Sequence, residues 1–411
     1  MKMSFSNIKN TLFFVSVILF GMYPLIPERY ESYAPIFFIV SSFILFVTSN
    51  NKRQVIFRPL VIMSSLFVIF LISCFLSENL NEGFKKIETM LSLIGFPVAC
   101  FWFLGNIKFD LLKIETIFFK IFFVSNVVFS LVALYLLNFY RNPKFPSRDA
   151  DFFRNAISDI PFIGDHSIYI SIFLALAIIM GAFIYQRTNL SLVVKLGLLF
   201  GQLIIVSLLM LLMSKGVIIA LIISSTATFL VSQRISKKIV LGGILIIIIT
   251  FILLPKQNNR FTELFHKESF EKVDLNNSTS IRFNILKCSI KLVLEHPIFG
   301  YGLGDVQEEL DSCYSSNGLK VGNGRYNSHN QYLFVWLSSG ILGLIIFMIY
   351  LYYIFNIAIK NKDYFLLNAL ILFAITFLVE NVLSRQSGVI LFAFLMNFLV
   401  LKNLNSKPLE N

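Results

Sequence analysis

The chain has 411 residues, of which 56% are hydrophobic and 14% charged, with a mean hydropathy of +0.77. So few charges could not cover the surface of a water-soluble protein of this length, which excludes that class. The net charge of +12 does not point to nucleic acid either: the excess basic residues lie in short loops that alternate with balanced ones, and no phosphate-binding loop or zinc-finger spacing is present.

Apolar runs of membrane-spanning length recur along the whole chain, and they are continuous rather than alternating, as in Leu241 to Leu254. Backbone groups in a bilayer must be paired internally, so continuous runs predict helices rather than a barrel. The expectation is an all-α polytopic membrane protein of about twelve transmembrane helices. The spans fall near 10–27, 33–48, 59–76, 88–104, 116–138, 166–185, 195–213, 216–231, 239–254, 330–356, 364–380 and 387–402. The first follows Lys2 and Lys9 as a signal peptide would, but no small-x-small cleavage site follows it, so it reads as an uncleaved span. The run from 196 to 231 is too long for one crossing, and a tight turn is expected at Lys215-Gly216.

The loops orient the bundle. Lys52, Arg53 and Arg58, then Arg187 and Lys195, Arg234, Lys237 and Lys238, Lys360 and Lys362, and Lys402 and Lys407 share one side with the N-terminal lysines. Loop 255–329 instead carries nine basic and nine acidic residues, and loop 139–165 is similarly balanced. Both termini are therefore expected in the cytoplasm and the two long loops outside. The chain divides into a bundle over 1–254, a large outer loop over 255–329, and a second bundle with a tail over 330–411. No internal repeat relates the halves, which disfavours a transporter or flippase. Cys288 and Cys313 share the outer loop and would pair in an oxidising compartment.

Chemistry-bearing residues gather on the outer side. In loop 139–165, Asp149-Ala150-Asp151 is a DxD that could bind a metal or be neutralised by Arg148 and Arg154. His166 opens the sixth span. Asn276 to Ser280 supplies N-cap residues for a helix over about 281–295, with Arg282 on its inward stripe and Lys287 and Lys291 on the solvated face. An inward arginine wants an anion or an ion-pair partner. His329 precedes Asn330 at the tenth span and shares a helical face with Leu333, Trp336 and Gly340; it is a candidate proton acceptor or a structural interface residue. Lys215 is an isolated charge in a long apolar stretch, either functional or snorkelling to headgroups. Glu380, followed by Asn381 and Arg385, could supply a counter-charge to Lys215 or Arg282.

Several of these elements, in order, resemble the O-antigen ligase and O-antigen polymerase superfamily of bacterial envelope enzymes. They are Ser214-Lys215-Gly216, Arg260-Phe261, Ser280-Ile281-Arg282, the run His296-Pro297-Ile298-Phe299-Gly300-Tyr301-Gly302-Leu303-Gly304, His329-Asn330-Gln331-Tyr332-Leu333, and Gly340-Ile341-Leu342-Gly343. The resemblance covers roughly 196–345; residues 1–160 match only in hydropathy. It implies a GT-C-like, inverting, metal-independent glycosyltransferase in the bacterial inner membrane, with a periplasmic active site and no cofactor. The donor would be a glycan on undecaprenyl diphosphate, and the acceptor lipid A-core for a ligase or another lipid-linked glycan for a polymerase. By that resemblance His329 is the catalytic base, Arg282 and Lys215 bind diphosphate, and His166, Glu380, Arg260 and Asn330 are secondary candidates. The family usually carries arginine where Lys215 stands, so the charge is kept but the bidentate fork is lost. The absence of the arginine-x10-glycine pattern of some polymerases, and the single dominant loop, favour a ligase.

Overall fold

The computed structural model describes residues 5–49, 55–105, 110–139, 150–160, 164–187, 190–232, 277–319 and 326–405. The expected ninth span at 239–254, Arg260, Asp149 and the first part of the large loop lie outside these residues. The described chain runs through α1 (Phe5–Gly21), α2 (Tyr33–Val47), α3 (Phe57–Phe75), α4 (Leu80–Met90) and α5 (Ser92–Pro97), which continues into a π-helical turn at Val98–Phe103. It goes on through α6 (Leu111–Phe139), α7 (Ala150–Ser158), α8 (Ser167–Arg187), α9 (Leu192–Leu212) and α10 (Lys215–Val231). The remaining helices are α11 (Ser278–Glu295), α12 (Val306–Ser316), α13 (Gln331–Lys360), α14 (Tyr364–Thr376) and α15 (Gln386–Asn405).

The architecture is that of an all-helical, multi-pass membrane protein. Among the described residues seven helices are long and apolar enough to cross a bilayer, or eight if the bent pair α4–α5 is one span, and three shorter apolar helices accompany them. Every expected span within the described residues coincides with one of these helices.

Burial sorts the helices into layers. A helix that is apolar on all sides belongs in the interior, and α15 and α8 are almost wholly enclosed, whereas two thirds of α9 faces outward. The centre is built from aromatic rings: Phe394 of α15 stacks on Phe20 of α1 at 3.9 Å and meets Phe38, Phe96 and Phe118 edge-on. Such pairs add to the apolar area they bury, and they draw α1, α2, α5 and α6 around α15.

One charge has a different place from that expected. Lys402 is no solvent-facing loop lysine: its Nζ sits 2.6 Å from both Glu115 of α6 and Asp363, the N-cap of α14, and it is 4% exposed. Asn403 Nδ2 also donates to Asp363. Both carboxylates contact the ammonium away from water, and removing one member of such a buried group typically costs ~3–5 kcal/mol.

Two glycine motifs separated in sequence lock together. Gly340 breaks α13 with φ of 66°, and a Cβ there would collide with the carbonyl of Ile298. The break frees carbonyls that a continuous helix would use, and the 296–304 loop satisfies them. Tyr301 N–H donates to Leu337 O at 2.7 Å and Gly302 N–H to Ser338 O at 3.1 Å, while Ile341 N–H donates back to Pro297 O at 3.0 Å. Gly300 needs its positive φ of 70° and its missing side chain for the same approach. The far end of this loop is anchored by Asp305, whose carboxylate accepts from the N–H groups of Glu78 and Asn79. Cys288 of α11 and Cys313 of α12 form a disulfide.

Candidate active site

Each wall of the site follows from a local rule. The expected turn at Lys215-Gly216 falls slightly earlier. Met213, in the left-handed region at φ 47°, ends α9, and Lys215 opens α10. Gly216 then lets the start of α10 press against Val379, since a Cβ there would overlap the valine side chain. That contact brings Lys215 to the segment carrying Glu380. Asn277 caps α11 by accepting from the N–H groups of Thr279 and Ser280, so the helix begins at Ser278 and Arg282 projects from its second turn.

His329 lies differently from the expectation. It does not share a helical face with Leu333, Trp336 and Gly340, because α13 starts only at Gln331 with Asn330 as its cap. His329 precedes the cap in left-handed backbone at φ 43°, a conformation that a non-glycine residue adopts only when its surroundings hold it there. Hydrogen bonds along the 327–331 strap hold it there. Asn327 Oδ1 accepts from His329 N–H, Asn330 Nδ2 donates to Leu378 O, and Gln331 N–H donates to Phe377 O. Gln331 Oε1 accepts from Leu383 N–H, and Ser328 and Asn381 share hydrogen bonds at 3.0 and 3.1 Å. The 327–331 strap is thus stitched to the 377–383 segment, and Asn330 is a positioning residue within it.

The stitching presents His329 Nδ1 to Glu380 at 3.2 Å from both carboxylate oxygens. Arg282 Nη2 reaches the same carboxylate from the other side at 3.6 Å. Glu380 is therefore the shared counter-charge of His329 and Arg282. Its side chain is 6% exposed, against 38% for Arg282 and 21% for His329.

An open cleft adjoins this cluster, lined by Arg154, Ser214, Lys215, Arg282 and Glu380 among others. Arg282 and Lys215 share it. His329 is not among its lining residues and meets the cleft through Glu380, which forms part of the wall. Arg154 is the residue whose role the sequence reading missed: its Nη1 lies 3.4 Å from Leu212 O and from Ser214 Oγ. Ser214 is held in turn by Ser171 at 2.6 Å. The cleft thus gathers three cationic side chains from three helices around one carboxylate. His166 is near enough for Glu380, Arg154 and His329 to act on it, but burial, then Arg385, push it down to about 4. It is a neutral imidazole at physiological pH, and its buried Nδ1 has no partner among the described residues.

Burial alone would raise the Glu380 carboxyl, but His329, then Arg282, hold it below its ordinary value of 4.5. A depressed carboxyl contributes stability that is present above its unfolded pKa and lost as pH falls through the folded one. The difference in thermal stability between the wild type and Glu380→Gln should therefore persist from neutral pH down to 4.5 and shrink below it. Unfolding curves in detergent across that range check this; a gap that closes already near neutrality would contradict it.

A family model described as O-Antigen ligase matches residues 200–348. The chain carries an O-antigen ligase domain. Over those residues the chain is similar to the O-antigen ligase and polymerase superfamily, whose members are glycosyltransferase-like membrane enzymes acting on lipid-linked glycans. No curated protein matches the chain. The O-antigen ligase match takes in Lys215, Arg282 and His329, whereas Arg154, His166 and Glu380 lie outside it.

Proposed function

We propose that the protein is an O-antigen ligase-type glycosyltransferase of the bacterial inner membrane. It moves a glycan from undecaprenyl diphosphate to a sugar hydroxyl of lipid A-core at the periplasmic face. The observation that carries this reading is the cleft, where Arg282, Lys215 and Arg154 stand beside the His329–Glu380 pair. Three cations from separate helices suit a diphosphate leaving group, and an imidazole oriented by a carboxylate suits a hydroxyl nucleophile.

The chemistry follows from those placements. Glu380 on Nδ1 favours the tautomer with the proton there, leaving His329 Nε2 as acceptor. The acceptor hydroxyl attacks the anomeric carbon, and its proton passes to Nε2. The bond from that carbon to the diphosphate oxygen breaks, and undecaprenyl diphosphate departs with the electron pair. Arg282, Lys215 and Arg154 meet the negative charge that develops on the leaving oxygen, so protein cations do what a divalent metal does in other glycosyltransferases. A single displacement inverts the anomeric configuration. The donor's lipid tail stays in the membrane while its diphosphate enters the cleft. The disulfide in the outer loop and the charge balance of that loop support an oxidising, non-cytoplasmic face.

A deletion strain's lipopolysaccharide gel tests the assignment. The expected result is undecorated lipid A-core, with long glycan accumulating on the lipid carrier. Cores bearing a single repeat unit would make the protein a polymerase of the same superfamily.

A further inference from the structure

The outer helix α11 has two kinds of exposed surface. Its inner face, Ile285, Cys288, Ser289, Leu292 and Val293, is buried against α12 and α13. On the outside, Ile290 and Leu294, four residues apart, form one apolar edge that begins at the half-buried Leu286. Ile290 is 45% and Leu294 70% exposed. The edge continues past the helix into Ile298, 58% exposed, and Phe299, 71% exposed. Lys287 and Lys291 run alongside, one residue ahead of the apolar positions, and both are exposed. A solvated loop helix has no reason to leave such a row of large apolar side chains in water.

The position of this edge says what covers it. Ile298 and Phe299 are the residues packed into the break at Gly340. Directly beyond the break, α13 exposes Leu342, Ile345, Met348, Ile349 and Tyr352. From Gly340 to Lys360 a helix rises ~30 Å, the thickness of the hydrocarbon layer. Gly340 therefore stands at the outer boundary of the hydrocarbon, where the lipid-facing surface of α13 begins. The apolar edge of α11 is continuous with that surface. The flanking lysines carry the charge that suits lipid phosphates, and their stems can lie along the apolar edge.

We infer that α11 is an interfacial helix, lying on the outer leaflet with Leu294, Ile298 and Phe299 inserted among the lipids and Lys287 and Lys291 at the headgroups. The helix has 18 residues and so spans ~27 Å, with Arg282 near one end and the inserted residues at the other. Insertion holds Arg282 at headgroup depth, the depth at which a lipid carries its phosphates. This last consequence rests on the proposed function; the insertion itself does not.

Fluorescence in the intact, reconstituted protein separates the two. Leu294→Trp, Phe299→Trp and Lys291→Trp are each compared with the parent, which retains Trp102 and Trp336. The vesicles contain phosphatidylethanolamine, phosphatidylglycerol and a phosphatidylcholine brominated on the acyl chain close to the headgroup. The added emission of Leu294→Trp and Phe299→Trp should lose most of its intensity to the brominated lipid and little to aqueous iodide, with Lys291→Trp showing the reverse order. Lipid quenching at positions 294 and 299 no greater than at 291 would overturn the insertion, whether iodide quenches them (a solvated helix) or nothing does (a face covered by protein). A helix that inserts in a protein with no transferase activity would leave the insertion standing and remove the proposed reaction.

Discussion

His329→Ala should lower glycan transfer by about 10²–10⁴-fold, the usual loss when a general base is removed. Asn327 accepts from the His329 N–H, and the neighbouring Asn330 and Gln331 are hydrogen-bonded to the 377–383 segment, which together hold His329 in left-handed backbone. Its Nδ1 is bound to Glu380. That arrangement has no evident purpose in packing, since the side chain is only partly buried and makes no aromatic contact among the described residues. His329→Gln, which can donate or accept a hydrogen bond but cannot take up a proton at neutral pH, should be as inactive as alanine. Glu380→Gln keeps the shape but can no longer stabilise the imidazolium that forms during transfer, so it should lose activity as well. The check is turnover of purified variants alongside thermal stability and an intact Cys288–Cys313 bond. A stable His329→Ala enzyme with undiminished turnover would reduce the histidine to a structural tie.

Arg282→Ala should have the second largest effect, about 10²–10³-fold on turnover, the scale for losing one group that stabilises developing negative charge. Arg282→Lys should recover only part of it, because an ammonium cannot make the paired hydrogen bonds of a guanidinium. Lys215→Arg should remain active, since it installs the residue usual in the superfamily and the cleft is open, whereas Lys215→Ala should be severely impaired. Arg154 extends the argument. It brings a guanidinium from α7 to the cleft wall beside Lys215, and so supplies from another helix the planar donor that position 215 lacks. Arg154→Ala should therefore weaken transfer, and its loss should be most severe in the Lys215→Ala background. Double-mutant cycles on the rate constants measure the coupling; strictly additive losses would mean that the two cations do not act on one anion.

Much of this was legible in the sequence, for identifiable reasons. Lipid demands internally satisfied helices, so hydropathy located the spans that fall within the described residues without any knowledge of packing. Glu380 was readable as a counter-charge because an acid near the end of an apolar run needs a partner, although only folding decided that Arg282 and His329 would share it. The start of α13 agrees with the expected span to one residue, but His329 was given a helical face because apolar periodicity was carried back through Asn330. Asn330 is a good N-cap type, and its Oδ1 does accept from Leu333 N–H; giving the cap preference more weight would have left His329 outside the helix. Arg154 was hidden by its neighbourhood. Beside Asp149 and Asp151 it looked like a neutralising charge, and the clue lay in its flanks: Phe152, Phe153, Ala156 and Ile157 are all buried, so the segment is a packed amphipathic helix rather than a solvated loop. The mutual docking of the 296–304 and 340–343 glycines could not be read from either motif alone, because each supplies the other's hydrogen-bond partners.

The most direct test of the account follows both products of one reaction. Purified protein is reconstituted with glycan-loaded undecaprenyl diphosphate and lipid A-core in the presence of EDTA. The account predicts one undecaprenyl diphosphate released for each glycan joined to the core, with the anomeric configuration inverted, and neither product formed by His329→Ala. Glycan transfer that requires added divalent metal, or movement of the intact lipid-linked glycan across the bilayer with no free undecaprenyl diphosphate, would contradict it.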